Sequence, residues 1–107
     1  MIVAVFSHQE LDCRIKQRKY AFLDTGMATA FLMLWATELG LVAHPIAGYD
    51  EQEVKEILAI PEQMQVITLL VVGEHDKESP KAKKEQDRPE RLPLEEIAFE
   101  NQFSESA

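Results

Sequence analysis

Side chains that support acid–base, nucleophilic or metal chemistry are present in this chain, but they are scattered. His8, His44 and His75 are isolated and lack the spacing of zinc ligands. Neither Cys13 nor Ser7 has a convincing base partner nearby. The glycines are too far apart to form a phosphate-binding loop: Gly26, Gly40, Gly48 and Gly73. The sequence therefore predicts no catalytic side-chain cluster and no metal site, and it gives little support to a hydrolase or a metalloenzyme.

The element that positions the rest of the chain is a long apolar stretch, Tyr20–Gly40, rich in Ala, Leu and Met. This composition predicts a helix, and Gly40 is placed as a left-handed C-cap. Its large apolar residues cover nearly the whole circumference, so we expect it to be buried on most sides. A helix of roughly 20 residues is about 30 Å long, enough to cross a small domain. A chain of 107 residues has a small core that can hardly cover such a helix, which is a hint that the chain is not a monomer.

The charge balance limits the partners. Nineteen acidic residues stand against eleven basic ones, for a net charge of −8, which argues against general binding to nucleic acid or anionic membranes. No apolar run reaches the length of about 18 residues that a membrane span needs, and no signal sequence is recognisable. One cysteine, Cys13, permits no internal disulfide. These features predict a soluble, cytoplasmic protein.

Two apolar runs predict buried strands. Met1–Phe6 reads MIVAVF, and a chain that opens directly on a core strand looks as though an earlier part were missing or supplied by another molecule. Met64–Val72 reads MQVITLLVV, whose unbroken apolar character predicts a strand covered on both faces. The polar segment 8–19 between the first strand and the long helix predicts a solvated loop or a first helical turn.

A short exposed helix is predicted between the long helix and the second strand. Leu41–Ile46 is extended, because Pro45 disfavours helical backbone at His44. Asp50 and Glu53 have the spacing of a capping box. The apolar face of the helix that follows consists of Val54, Ile57 and Leu58, and the helix stops before Pro61.

The last third of the chain changes character. Residues 74–91 carry many charges, two prolines and no large apolar group, which predicts a charged loop. Residues 92–107 contain an apolar cluster interspersed with glutamates, typical of an arm that docks on its own chain or on a partner. We therefore expect a single partial domain over residues 1–107, with a loop at 74–91 and a docking arm at 92–107.

Several ordered pieces of this sequence resemble a known family. YAFLDTGMATAFLMLWATELGL is followed by HPIAGYDEQEVKEILAIPE, then by VITLLVVGE, a charged loop and RLPLEEIAFE. Together, over Ile2–Glu100, they resemble the C-terminal half of the FMN-dependent nitroreductases. The resemblance implies an α+β, nitroreductase-like fold with a long buried central helix, a few strands and a short exposed helix, truncated at the N-terminus.

The resemblance also implies a function. Members of the family are homodimers that bind FMN at the dimer interface and pass hydride from NAD(P)H to nitroaromatic or quinone-like acceptors. The flavin carries its own chemistry, so no acid–base pair of side chains is required. By correspondence with the family, Pro45, Ile46, Ala47 and Gly48 lie against the isoalloxazine ring, where a glycine lets the backbone approach closely. Arg91 corresponds to the arginine that holds the FMN phosphate.

Two departures keep a second reading open. Pro89 stands where the family commonly has a second basic residue, and residues 1–19 do not replace the family's N-terminal half, which supplies most polar contacts to the flavin. Without that half FMN binding is weakened or lost. The alternatives are therefore an FMN-dependent oxidoreductase and a non-catalytic family remnant that acts only as a dimeric interaction module. Judged without the family, HPIAGYD is a simple connection between elements, and Arg91 is a solvated charge.

Overall fold

The structure is a computed structural model that describes residues 1–80 and 89–105 of the chain. The chain forms two compact units, Met1–His75 and Asp76–Ala107. The helices and strands of the described residues are, in chain order, β1 (Ile2–Ser7), β2 (Arg14–Ile15), β3 (Arg18–Lys19), α1 (Ala21–Glu38), β4 (Val42–Ile46), α2 (Glu51–Leu58), β5 (Gln65–Gly73) and α3 (Leu94–Ile97).

Strand β5 is the centre of the first unit. It pairs antiparallel with β1 on one side and with β4 on the other, giving a three-stranded sheet of order β1-β5-β4. Leu70, fully buried in the middle of β5, lies opposite Val3 on one neighbour and Pro45 on the other. Both apolar runs form strands as predicted, and the one predicted to be covered on both faces is the central strand. The expectation that the first run is buried is wrong, because β1 lies at an edge of the sheet and all its residues are half-buried or exposed.

Two apolar clusters cover the two faces of this sheet. One joins Leu70 and Val72 to Ala36 of α1. The other joins Val66 and Leu69 to Ile60, which follows α2. Buried apolar surface on both faces stabilises the sheet through the hydrophobic effect.

A β-bulge in β5 sets which residues share a face. Val5 lies opposite Thr68 and Phe6 lies opposite Val66, so Ile67 is the extra residue on β5. Because a bulge interrupts the strict alternation of a strand, Val66 and Leu69 belong to the same cluster although they are three residues apart.

Helix α1 ends in the predicted left-handed cap. Gly40 has a φ of +76°. Its N–H donates to the Thr37 carbonyl at 3.0 Å, and the Leu41 N–H donates to the Ala36 carbonyl at 2.9 Å. This pair of bonds is the Schellman arrangement, and it turns the chain directly into β4.

Helix α1 packs on the sheet through Ala36 and the partly buried Met33, and most of its other large residues are exposed. Only Ala21 and Ala36 of the helix are buried. An apolar stripe on the opposite side recurs at spacings of three and four residues and is exposed in the single chain: Leu23, Met27, Phe31, Leu34 and Trp35. Phe31 is 71% exposed, Leu34 66% and Trp35 65%. The prediction of the helix is confirmed, and the expectation that the helix is buried on most sides is wrong for one chain alone.

Helix α2 begins at the predicted cap. The Asp50 carboxylate accepts the Glu53 N–H at 2.9 Å. The predicted apolar face is only partly correct, because Val54 packs into the second cluster while Ile57 and Leu58 are exposed. The buried residue of the helix is instead Lys55, which is 9% exposed.

The buried Lys55 ammonium is compensated. It lies 3.4 Å from the Glu51 carboxylate and donates to the Glu62 carbonyl at 3.2 Å. The same Glu51 oxygen accepts the N–H of Val66 at 2.9 Å, which links α2 to the central strand. The hydrogen bond from the Val66 N–H holds the pKa of Glu51 below its usual value. Burial acts in the opposite direction, and the Lys55 charge lowers the pKa further.

The segment predicted to be a solvated loop contains a small hairpin. Strands β2 and β3 pair antiparallel, and Lys16 between them has a φ of 56°. A positive φ is typical of the tight turns that connect such strands. The Tyr20 N–H donates to the Cys13 carbonyl at 3.1 Å, which fastens the base of the hairpin to the start of α1.

The second unit contains helix α3 and an aromatic pair. The Phe99 and Phe103 rings meet edge to face with centroids 4.8 Å apart. The apolar residues of the predicted docking arm are exposed: Leu92, Leu94, Ile97, Phe99 and Phe103. Of the predicted charged loop 74–91, residues 81–88 lie outside the described residues, as do residues 106–107 of the arm.

None of the helices in residues 1–80 and 89–105 has the length and apolar content that crossing a bilayer requires.

We expect Glu51→Gln to lower the thermal midpoint of unfolding at neutral pH. The midpoint of the variant should also fall less than that of the parent when the pH is lowered. A carboxyl whose pKa is lowered by folding contributes stability above its ordinary value of 4.5 and loses it as the pH falls through the lowered value. The variant and the parent should therefore converge at low pH. Thermal unfolding followed by circular dichroism across this range measures the effect. Glu53→Gln, the same change on an exposed side chain of α2, is the control, and an equal effect of both substitutions contradicts the assigned role.

Candidate functional site

The turn Pro45–Gly48 lies where strand β4 leaves the sheet and helix α2 begins. Ile46 is the last paired residue of β4, opposite Leu69 of the central strand. Ala47 and Gly48 then lead to Asp50, the cap of α2. Pro45 is tolerated in this strand because β4 is an edge strand, where not every backbone N–H is needed for pairing.

Most of this turn faces solvent. Pro45, Ala47 and Gly48 are exposed, whereas Ile46 is half-buried and packs into the cluster of Leu69. One residue therefore anchors the turn to the core, and the other three present an uncharged surface of backbone and small apolar groups. Such a surface suits a flat, uncharged ring.

Gly48 is not required by the fold. Its φ lies outside the left-handed region that favours glycine, and a Cβ built at this position meets nothing within 4 Å. Gly40, by contrast, needs its φ of +76° to end α1. The absence of a side chain at Gly48 leaves the backbone of the turn open, and the isoalloxazine contact that the family resemblance implies here stays a prediction.

Two side-chain hydroxyls hold this turn against the central strand. The Tyr49 hydroxyl donates to the Val66 carbonyl at 3.0 Å, and the Thr68 hydroxyl donates to the Ile46 carbonyl at 2.8 Å. The Tyr49 N–H closes the turn by donating to the Ala47 carbonyl at 3.1 Å. Burial, together with the nearby Glu51 carboxylate, raises the pKa of Tyr49, so its phenol stays protonated as a donor. Sequence reasoning did not identify Tyr49 and Thr68, because their roles depend on which carbonyls the fold brings within reach.

Arg91 belongs to the second unit. It is exposed and precedes Pro93, the cap of helix α3. The predicted ring contact and the predicted phosphate contact therefore lie in different units of the chain, 1–75 and 76–107. An exposed guanidinium is free to form a two-pronged contact with a phosphate.

A groove of about 440 Å³ lies between β1 and the first half of α1. Its lining combines strand residues with one face of the helix: Ala4, Val5, Phe6, Asp24, Thr25, Ala28, Thr29 and Leu32. The hydroxyls of Thr25 and Thr29 donate to carbonyls of their own helix, at 2.6 and 2.8 Å. A hydrogen bond with the Asp12 carboxyl, helped by desolvation and by the charge of Asp12, raises the pKa of Asp24. Sequence reasoning did not identify this groove.

Within residues 1–80 and 89–105, no group of three or more His, Cys, Asp or Glu side chains is arranged to hold a metal ion.

Comparison with known proteins places the first unit in context. A sequence model described as the nitroreductase family matches residues 1–74. A protein of Mycolicibacterium smegmatis, described as an uncharacterized 15.4 kDa protein in the ask 5′ region, is 34% identical over 85 residues, covering 76% of this chain and 57% of the relative. The protein DrgA of Synechocystis is 32% identical over 78 residues, covering 73% of this chain and 37% of the relative.

A solved structure has the same fold. The crystal structure of an oxidoreductase containing FMN superposes with a TM-score of 0.76 at 26% identity, covering 98% of this chain and 56% of that one. The α+β fold expected from the sequence is confirmed. This chain spans about half the length of these three proteins, from 37% to 57% of each.

We expect Gly48→Ala to leave the chain as stable as the parent, or slightly more stable, because the added methyl group meets no neighbour and restricts only the unfolded chain. The matched change Gly40→Ala should cost about 1–2 kcal/mol, the penalty for a left-handed backbone at a residue with a Cβ. Urea unfolding of both variants measures the difference. A comparable loss of stability in Gly48→Ala would show that the fold itself requires this glycine.

Proposed function

The chain belongs to the nitroreductase family, and from this premise we propose that it is an FMN-binding, NAD(P)H-dependent oxidoreductase acting on nitroaromatic or quinone-like acceptors. The observation that carries the proposal is the exposed turn Pro45–Gly48, whose open glycine is not required by the fold. The FMN-containing oxidoreductase of the same fold supports the choice of cofactor.

The proposed roles of the residues come from the family resemblance, and their exposure in the structure is compatible with these roles. The turn offers backbone and small apolar groups to one side of the isoalloxazine ring, and Ile46 anchors that surface to the core. The exposed Arg91 guanidinium binds the phosphate through parallel hydrogen bonds. FMN, when bound, supplies the hydride transfer between NAD(P)H and the acceptor. The side chains of this chain bind and orient, and none is needed as a general acid or base.

We further propose that the active form is a homodimer assembled through α1. Five large apolar side chains form the exposed stripe of the helix, opposite the small residues that face the sheet. An exposed apolar patch of this kind marks an interaction surface. A second copy of the same helix would cover the stripe and remove these side chains from water.

The free, exposed Cys13 fits a reducing compartment, and we propose a cytoplasmic location.

A second function is favoured by a specific observation. The α1 stripe is an exposed apolar surface that needs no flavin to bind a second copy. A dimeric interaction module without bound flavin would associate through the stripe, and the Pro45–Gly48 turn would bind no ligand. Flavin binding separates this possibility from the oxidoreductase.

The purified chain should be yellow, or become yellow when FMN is added and excess is removed by desalting. Visible absorbance at the flavin bands, before and after this treatment, measures occupancy. A chain that stays colourless under saturating FMN contradicts the oxidoreductase and favours the interaction module.

Within the same experiment, Arg91→Ala should weaken FMN binding roughly tenfold or more, the range expected for losing a hydrogen bond between charged groups. Arg14→Ala, which removes another exposed arginine from the hairpin, is the matched control. Equal affinity of the Arg91 variant and the parent would show that Arg91 does not hold the phosphate.

We expect Leu34→Glu to convert the dimer to a monomer. Burying a leucine contributes about 1.5–3 kcal/mol, and each dimer would lose two such contacts and place two charges in an apolar interface. Size-exclusion chromatography with light scattering gives the mass in solution. Gln17→Glu, with the same added charge on the exposed hairpin, should remain dimeric. A monomeric parent chain, or a dimeric Leu34 variant, contradicts the proposed interface.

A further inference from the structure

We propose that Tyr49 and Thr68 are positioning residues that hold the Pro45–Gly48 turn in the shape that receives the flavin before the flavin arrives. This inference rests on the function proposed above. It concerns two hydroxyl groups that neither the sequence resemblance nor the matched proteins assign to the site.

The Tyr49 hydroxyl bonds to a backbone carbonyl of β5 that has no partner on β4. Strand β4 ends at Ile46, opposite Leu69, so Val66 lies beyond the last residue of β4 that pairs with β5. Two side chains satisfy its backbone. The Tyr49 hydroxyl donates to its carbonyl at 3.0 Å, and the Glu51 carboxylate accepts its N–H at 2.9 Å. The chain on either side of Asp50 is therefore fastened to β5 although it has left the sheet.

The second hydroxyl acts at the other end of the turn. Thr68 lies on β5, one residue from the partner of Ile46. Its hydroxyl is 2.8 Å from the Ile46 carbonyl and 3.2 Å from the Leu69 carbonyl. The proton can serve only one acceptor fully, and the shorter distance favours Ile46. The peptide group that opens the turn is thereby fixed to the central strand.

Together the two bonds clamp the turn from both sides. Ile46 is held by Thr68, and Tyr49 is held by Val66, which leaves Ala47 and Gly48 between two fixed points. The Tyr49 N–H bond to the Ala47 carbonyl, at 3.1 Å, closes the short segment between them. A contact surface fixed before binding avoids the entropy cost of ordering it on binding.

Packing alone does not explain these hydroxyls. Tyr49 contributes its ring to the cluster of Val66 and Leu69, a task that phenylalanine would perform equally well. Thr68 is half-buried on a strand, where valine is an isosteric apolar alternative. What the hydroxyls add is two hydrogen bonds that tie the two ends of the turn, the Ile46 carbonyl and the Tyr49 side chain, to the central strand.

The test removes the hydroxyls and keeps the packing. We expect Tyr49→Phe and Thr68→Val each to raise the Kd for FMN roughly fivefold, the effect of one hydrogen bond of ordinary strength. The double variant should raise the Kd for FMN more than either single variant does. FMN fluorescence quenching measures the Kd. Tyr20→Phe removes the hydroxyl of the other tyrosine, outside the turn, and is the matched control.

A second measurement works without flavin. Amide hydrogen exchange in the free chain should be faster at Tyr49, whose N–H closes the turn, in both variants than in the parent, while exchange in α1 stays unchanged. Thr68→Ser retains a hydroxyl and should restore the parental exchange and the parental Kd. This rescue distinguishes positioning from a general loss of packing, and the single variants remain informative if the double variant does not fold.

The outcomes separate this inference from the function it rests on. If the parent chain binds FMN and the variants bind it with the same Kd, or exchange at the turn is unchanged, the positioning role is overturned and the proposed function stands. If the parent chain does not bind FMN, the proposed function fails and the positioning role fails with it.

Discussion

Strand β5 is paired on both edges and covered on both faces, and the first unit depends on this one arrangement. Its backbone hydrogen bonds are shared with β1 and β4, and its side chains join the cluster on the α1 side and the cluster on the α2 side. The free energy of burying apolar surface is therefore concentrated on one nine-residue segment. The neighbouring strands pair with β5 and helix α1 packs on it, and the turn of the proposed site is positioned by the same strand.

Helix α1 meets two opposite demands. Toward the sheet it packs through the small residue Ala36, which joins the cluster of Leu70 and Val72, with Met33 beside it. Away from the sheet it carries large apolar side chains that a single chain leaves in water. A hydrophobic stripe of this size is unfavourable on a monomer and favourable in an interface. The same helix can thus complete the fold of one chain and provide the surface for a second one.

The proposed site depends on the neighbouring strands and helix, which hold the turn in place. The Pro45–Gly48 turn has few apolar contacts of its own, but it begins at a paired strand and ends at a capped helix. The Glu51 and Tyr49 side chains bond to the Val66 backbone of β5 where β4 has left the sheet, and the Thr68 side chain of β5 bonds to the Ile46 carbonyl at the end of β4. The fold needs a glycine at position 40 and does not need one at position 48. Gly26 and Gly73 are equally open, so the proposal of a ligand at this turn rests on its exposed, uncharged surface together with the family resemblance.

Local sequence patterns determined most of the elements. The apolar runs that became β1 and β5, the Ala- and Leu-rich helix α1, the glycine that ends it and the Asp50 cap of α2 all depend on neighbouring residues, so composition and spacing predicted them. The candidate turn was also visible, since Pro45 and Gly48 mark it, although its relation to a flavin came from family resemblance.

Only the tertiary structure decided the features that depend on distant residues. The β-bulge at Ile67 placed Val66 and Leu69 on one face against the usual alternation. Lys55 became the buried residue of α2, because Glu51 and the Glu62 carbonyl compensate its charge, while Ile57 and Leu58 stayed exposed. The carbonyl partners of Tyr49 and Thr68 lie 17 and 22 residues away in the sequence. Periodicity describes one segment at a time, whereas these contacts arise only when β4, α2 and β5 meet, and for that reason the sequence alone did not reveal them.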